Sequence, residues 1–106
     1  MPSYLVIASY NAEGVKGLLK NGGTARADAV GSAVKALGGT MQSFNFAFGD
    51  EDVYVVVDLP DNTAAAALAL AVAATGLVSI KTVPLLSPAE IDGAAKLQVS
   101  YQPPGK

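Results

Sequence analysis

The stretch Ser43 to Leu59, SFNFAFGDEDVYVVVDL, constrains the chain more than any other. Phe44, Phe46 and Phe48 fall at every second position with Ser43, Asn45 and Ala47 between them, the period of a strand with one oily face and one wetter face. Val53, Val55, Val57 and Leu59 repeat the period further on, while Asp52, Tyr54, Val56 and Asp58 point the other way and make that second face mixed. Gly49-Asp50-Glu51 supplies a turn, since Gly accepts positive φ and Asp can bond back to its own backbone. Pro60 has no N–H for a ladder and ends the second strand. The pattern predicts a hairpin at the centre of a small sheet, with the rest of the chain covering it.

Tyr4 to Tyr10, YLVIASY, is apolar on both faces apart from Ser9, as expected of a central strand. Asn11 is an N-cap candidate for a short helix carrying Val15, Leu18 and Leu19, which Asn21-Gly22-Gly23 breaks. Thr24 opens a longer helix with Ala27, Val30, Ala33, Val34 and Leu37 on one face and Asp28, Ser32 and Lys35 opposite; Gly38-Gly39 ends it. Asp61 or Asn62 caps a third helix, Thr63 to Thr75, that contains no charge and stops at Gly76. Leu77 to Leu86 alternates Val78, Ile80 and Thr82 against Ser79, Lys81 and Val83, with Pro84 fitting the end of an edge strand. Ser87-Pro88-Ala89-Glu90 is a capping box with Pro at the first helical position, predicting a final turn or two that carries Ile91. Residues 97–106 form a C-terminal tail after a domain of residues 1–96.

The order β-α-β-β-α-β implies an α+β, ferredoxin-like fold: a four-stranded antiparallel sheet with both long helices on one face, Tyr4–Tyr10 and Val53–Leu59 in the centre. Two helices cannot cover the other face. Tyr4, Val6, Ala8, Tyr54, Val56 and Val83 are expected to line it, and a second copy packed sheet against sheet is expected to shield it, giving a homodimer or larger homo-oligomer. The uncharged helix offers a further surface for assembly.

Composition narrows the chemistry. With 106 residues, 51% of them hydrophobic and 15% charged, one globular domain with a modest core is expected. The chain has no Cys and no His, which removes disulfides, thiolates, sulfur ligands and the commonest general base and haem ligand. Haem would be left with a tyrosine as its axial ligand, a rare choice. A net charge of −2 with Lys and Arg spread along the chain argues against nucleic acid. No run reads as a membrane span or a secretory signal, so a cytoplasmic protein without a cofactor is the expectation.

The segments PSYLVIASYNAEGVKGL, TARADAVGSAVKALGG, FAFGDEDVYVVVDLPDNTAAAALALA and TVPLLSPAEI, taken in this order, resemble the GYD domain family, small bacterial chains similar to the dimeric α+β-barrel superfamily. The likeness runs from Pro2 to Asp92. It implies the fold derived above and a dimeric barrel; it implies little about activity, the family being of unknown function. The Gly-x-Tyr-Asp motif of the family aligns with Gly49, Asp50, Glu51 and Asp52, so that Glu51 stands where the tyrosine should be.

Two groups of residues are site candidates. Asp50-Glu51-Asp52 reads as a solvated turn; a cation site would need more converging oxygens and the spacing of a calcium loop, and no metal is expected. On the face away from the helices, alternation places Asn45, Asp52, Tyr54, Asp58 and Lys81, with Tyr4 and Tyr10 on the first strand. Were they to surround a cleft between sheet and partner, Tyr4, Tyr10, Asn45 and Asp58 would hold a small apolar ligand. A catalytic variant has Tyr54 or Lys81 protonating a substrate oxygen and Asp52 acting as base, in a cofactor-independent oxygenase or isomerase for a small aromatic, enol or lactone. The plainer alternative is a hydrogen-bonded seam of Tyr54, Asp58 and Lys81 that sets the register of the dimer.

Overall fold

The computed structural model describes residues 1–105. Its elements run β1 (Ser3–Tyr10), α1 (Ala12–Asn21), α2 (Gly23–Ala36), β2 (Thr40–Phe46), β3 (Val53–Asp58), α3 (Asn62–Ala73), β4 (Val78–Leu85) and α4 (Pro88–Ala95). The four strands form one antiparallel sheet in the order β2-β3-β1-β4, so the two most apolar strands are the central pair. This is the α+β ferredoxin-like architecture that the element order implies.

Local chemistry explains where the helices begin and end. Asn11 caps α1 by accepting from the Gly14 amide at 2.9 Å, and its Nδ2 donates to the Gly76 carbonyl at 2.6 Å, tying the start of α1 to the end of the α3 loop. Asp61 caps α3 through the Ala64 amide, and Ser87 with Glu90 closes a reciprocal capping box on α4. At the start of β2, a Cβ on Gly39 would lie 2.1 Å from the Asp58 carbonyl, so only glycine lets β2 enter beside β3. The β2–β3 ladder slips between Met41 and Ser43, leaving Gln42 as a bulge.

Register decides which side of each strand is covered. Tyr4 stands opposite Val57, Val6 opposite Val55 and Ala8 opposite Val53; all six are buried, together with Val34 of α2, Leu59, and Ala65 and Leu68 of α3. Fully burying a Val or Leu side chain contributes about 1.5–3 kcal/mol, so this single layer between helices and sheet carries most of the hydrophobic stabilisation. Here the structure corrects the sequence expectation: Tyr4, Val6 and Ala8 lie under the helices and not on the open face. β1 is apolar on both sides, and the strand that breaks the tie is β3, whose valines at 53, 55 and 57 can only go to the side the helices cover. The open face is instead built from Leu5 and Ile7 of β1, paired with Val56 and Tyr54 of β3 and with Val83 and Lys81 of β4.

Two further expectations shift. Phe48 lies beyond the end of β2 and is fully exposed, so the alternating aromatic run has two strand members; Phe44 and Phe46 meet edge to face at 5.2 Å between ring centres. The turn is correspondingly wider than Gly49-Asp50-Glu51, closing where the Ala47 amide donates to the Asp52 carbonyl. At the other end of the chain every residue from Val83 to Gly105 is exposed. The radius of gyration is 16.9 Å, against about 13 Å for a compact domain of this length, because α4 and the following segment stand off the body. Lys106, the last tail position, lies outside the described residues. No helix among the described residues is long and apolar enough to cross a membrane.

Candidate functional site

The open face has an apolar middle and a polar cluster at each end. Leu5, Ile7 and Val56 are half-buried, while Tyr54, Val83 and Leu85 are exposed, which leaves a strip of oily side chains across three strands with nothing over it. At one end the turn between β2 and β3 folds back over β1. The Asp52 amide donates to the Ala8 carbonyl, and the Tyr10 amide donates to Asp52 Oδ2 at 2.8 Å. Glu51 then reaches across the sheet: Ser9 Oγ donates to its Oε2, and Lys81 Nζ on the edge strand β4 to its Oε1 at 2.7 Å. The Glu51 side chain is only 18% exposed, so the acidic turn expected to be solvated is pinned to the sheet. Its carboxyl is held below the ordinary range first by the Lys81 hydrogen bond and then by that of Ser9, and Lys81 is raised in return by Glu51.

The opposite end repeats the arrangement without a cation. Ser3 Oγ donates to Asp58 Oδ1, and Gln42 Nε2, turned to this face by the bulge, donates to both Asp58 oxygens at 2.7 Å. These bonds, Ser3 first, lower the Asp58 pKa.

Against the candidates drawn from sequence, the placement divides. Tyr54, Asp58, Lys81 and Asn45 do lie on the open face, with Asn45 opposite Tyr54. Tyr4 and Tyr10 do not: Tyr4 is 1% exposed with its hydroxyl donating to Asn62 Oδ1 at 2.6 Å, and Tyr10 points to the helix side. Asp52 is committed to the backbone of β1. Within the motif-aligned segment, Gly49 and Asp50 are exposed at the tip, whereas Glu51 and Asp52 act as clamps that hold the turn against the sheet. Among the described residues no group of three or more acidic side chains comes together as a cation site would need.

The helix side holds a feature the sequence reading passed over. A groove of about 540 Å³ runs between α1, α2 and α3, floored by Tyr10 of β1 and Val78 of β4. Beneath it a smaller apolar space of about 40 Å³ lies against Val55 and Ile80 of the sheet. Arg26 and Tyr10 line both, and Arg26 is the one charged residue among the lining side chains. The signal was present in the spacing: Arg26 lies one turn before Val30 and continues the stripe of Val30, Ala33, Val34 and Leu37 that faces the sheet. Burial raises the Tyr10 pKa, nearby Arg26 opposing the effect and Asp52 adding to it.

A family model described as GYD domain matches residues 4–95. Comparison with curated proteins and with solved structures found no match.

Proposed function

The chain belongs to the GYD domain family, and we propose that it works as a self-associating module in which two copies close their open sheet faces on each other. The observation that carries this reading is the strip of Leu5, Ile7, Tyr54, Val56, Val83 and Leu85, apolar and uncovered on a sheet whose other face packs against α2 and α3. The polar clusters at its ends support the same reading. Their carboxylates are already hydrogen-bonded within the chain, Glu51 to a cation and Asp58 to Ser3 and Gln42, so they form a polar rim whose hydrogen bonds are met before the faces are apposed.

The strip, filled by side chains from two copies, leaves the space between the sheets as a packed seam. The catalytic variant through Tyr54, Lys81 and Asp52 has less support, since Lys81 is held by Glu51 and Asp52 by the Tyr10 amide. Light scattering at micromolar concentration tests the proposal: at least twice the chain mass is expected, and Val56→Asp, which places a charge at the centre of the strip, should return a folded monomer. A wild-type chain that scatters as a monomer overturns it.

A further inference from the structure

We propose that the groove under α1, α2 and α3 is a binding site for a small apolar carboxylate, with Arg26 and Tyr10 receiving the acid group. The site belongs to each chain singly and does not depend on pairing of the sheets.

Four observations converge on it. The groove, at about 540 Å³, falls in the size range of small-molecule sites, and its walls are mostly apolar or small. Arg26 is half-buried, yet among the described residues it makes neither an ion pair nor a side-chain hydrogen bond. A guanidinium in an apolar recess is costly unless an anion accepts its hydrogen bonds, and its planar fork matches a carboxylate. Tyr10, a phenol protonated like any tyrosine at neutral pH, adds an O–H donor in the same recess. No acidic side chain lines either space to compete for these donors.

The start of α2 adds to the same preference. Gly22, at φ +87°, precedes α2 and offers no side-chain cap, the first turn carries no acid, and Gly22, Ala25 and Arg26 all line the groove, so no acidic side chain at this end competes for an anion. The apolar lining below, from Val30 to Val72, selects a hydrocarbon or aromatic body over a sugar or a phosphate ester.

Calorimetric titration of the full chain with sodium octanoate, and separately with octan-1-ol as the uncharged body, tests the site. One octanoate per chain is expected, saturating below ~10 mM, where any affinity better than millimolar is complete. Arg26→Gln should weaken octanoate about ten-fold or more while leaving octan-1-ol little changed. Gly17→Leu should abolish both, because nothing stands within 4 Å of a Cβ there and the longer side chain enters the groove; Ala29→Leu serves as a second filler. The Val56→Asp monomer should bind octanoate as the wild type does, which separates this site from the sheet interface. Wild-type protein that fails to saturate, or octanoate binding indifferent to Arg26→Gln and to both fillers, overturns the proposal.

Discussion

The two sides of the sheet come from the same strands and both carry oily side chains, more of them under the helices, and they are finished differently. On the helix side Val53, Val55 and Val57 stand opposite Ala8, Val6 and Tyr4 under α2 and α3, and no polar or charged residue is fully buried there. On the open side Leu5, Ile7 and Val56 are half-buried and bracketed by Ser9–Glu51–Lys81 and Ser3–Asp58–Gln42. The contrast shows that hydrophobicity alone does not make a core. What separates the sides is also whether another element of the same chain covers them, and α2 and α3 both pack on the one side, through Val34 and through Ala65 and Leu68.

The sharpest way to break the comparison is to put one carboxylate on each side at neighbouring positions. Val57→Asp, at 0% exposure, should abolish folding, a loss of more than ~4 kcal/mol from an unpaired buried charge. Val56→Asp should change the stability of the isolated chain by less than ~1 kcal/mol. Urea unfolding at low protein concentration measures both, and equal losses would mean that the sides are not distinct.

The same test can be made along α3, which is Ala-rich all round but buries one stripe. Leu68→Ala, at 5% exposure, should cost about 2–4 kcal/mol, while Leu70→Ala, at 70%, should stay within about 0.5 kcal/mol. Midpoints of thermal unfolding report the difference.

A smaller effect, about 1 kcal/mol, is expected of Asp61→Ala, which strips the cap that orients α3 over the covered face. The same measurement checks it, with Asp61→Asn, whose amide oxygen can accept the same bond, expected to keep most of the wild-type stability.

The smallest effect belongs to the open side and appears in acid. Asp58 and Glu51 have folded-state pKa values below their ordinary 3.8 and 4.5, so their contribution is complete above those values and is lost as pH falls through the lowered ones. Stability should therefore decline below about pH 4.5, and Glu51→Gln together with Asp58→Asn should flatten that decline. A slope unchanged in the double variant would place the acid-sensitive groups elsewhere.

Much of the fold was legible along the chain. Alternation placed the strands, and the apolar content of Tyr4–Tyr10 and Val53–Leu59 put them in the centre. Asn11, Asp61 and the Ser87–Glu90 box marked helix starts because capping involves residues within three positions of each other. The candidate site was legible in part. Tyr54, Asp58 and Lys81 were assigned to the right face, but Tyr4 and Tyr10 were not, since a strand that is apolar on both sides gives no sign of which side the helices choose.

What the sequence by itself determined, then, is the set of elements, their order and the capped helix starts, all of which rest on periodicity and on contacts a few residues apart. Only the tertiary structure decided the rest: that Val57 pairs with Tyr4 beneath the helices, that Glu51 crosses the sheet to Ser9 and Lys81, and that Arg26 shares a groove with Tyr10. Glu51 and Lys81 are 30 positions apart and Ser9 and Glu51 are 42 apart, and contacts of that range depend on strand register and helix docking, which no local spacing encodes.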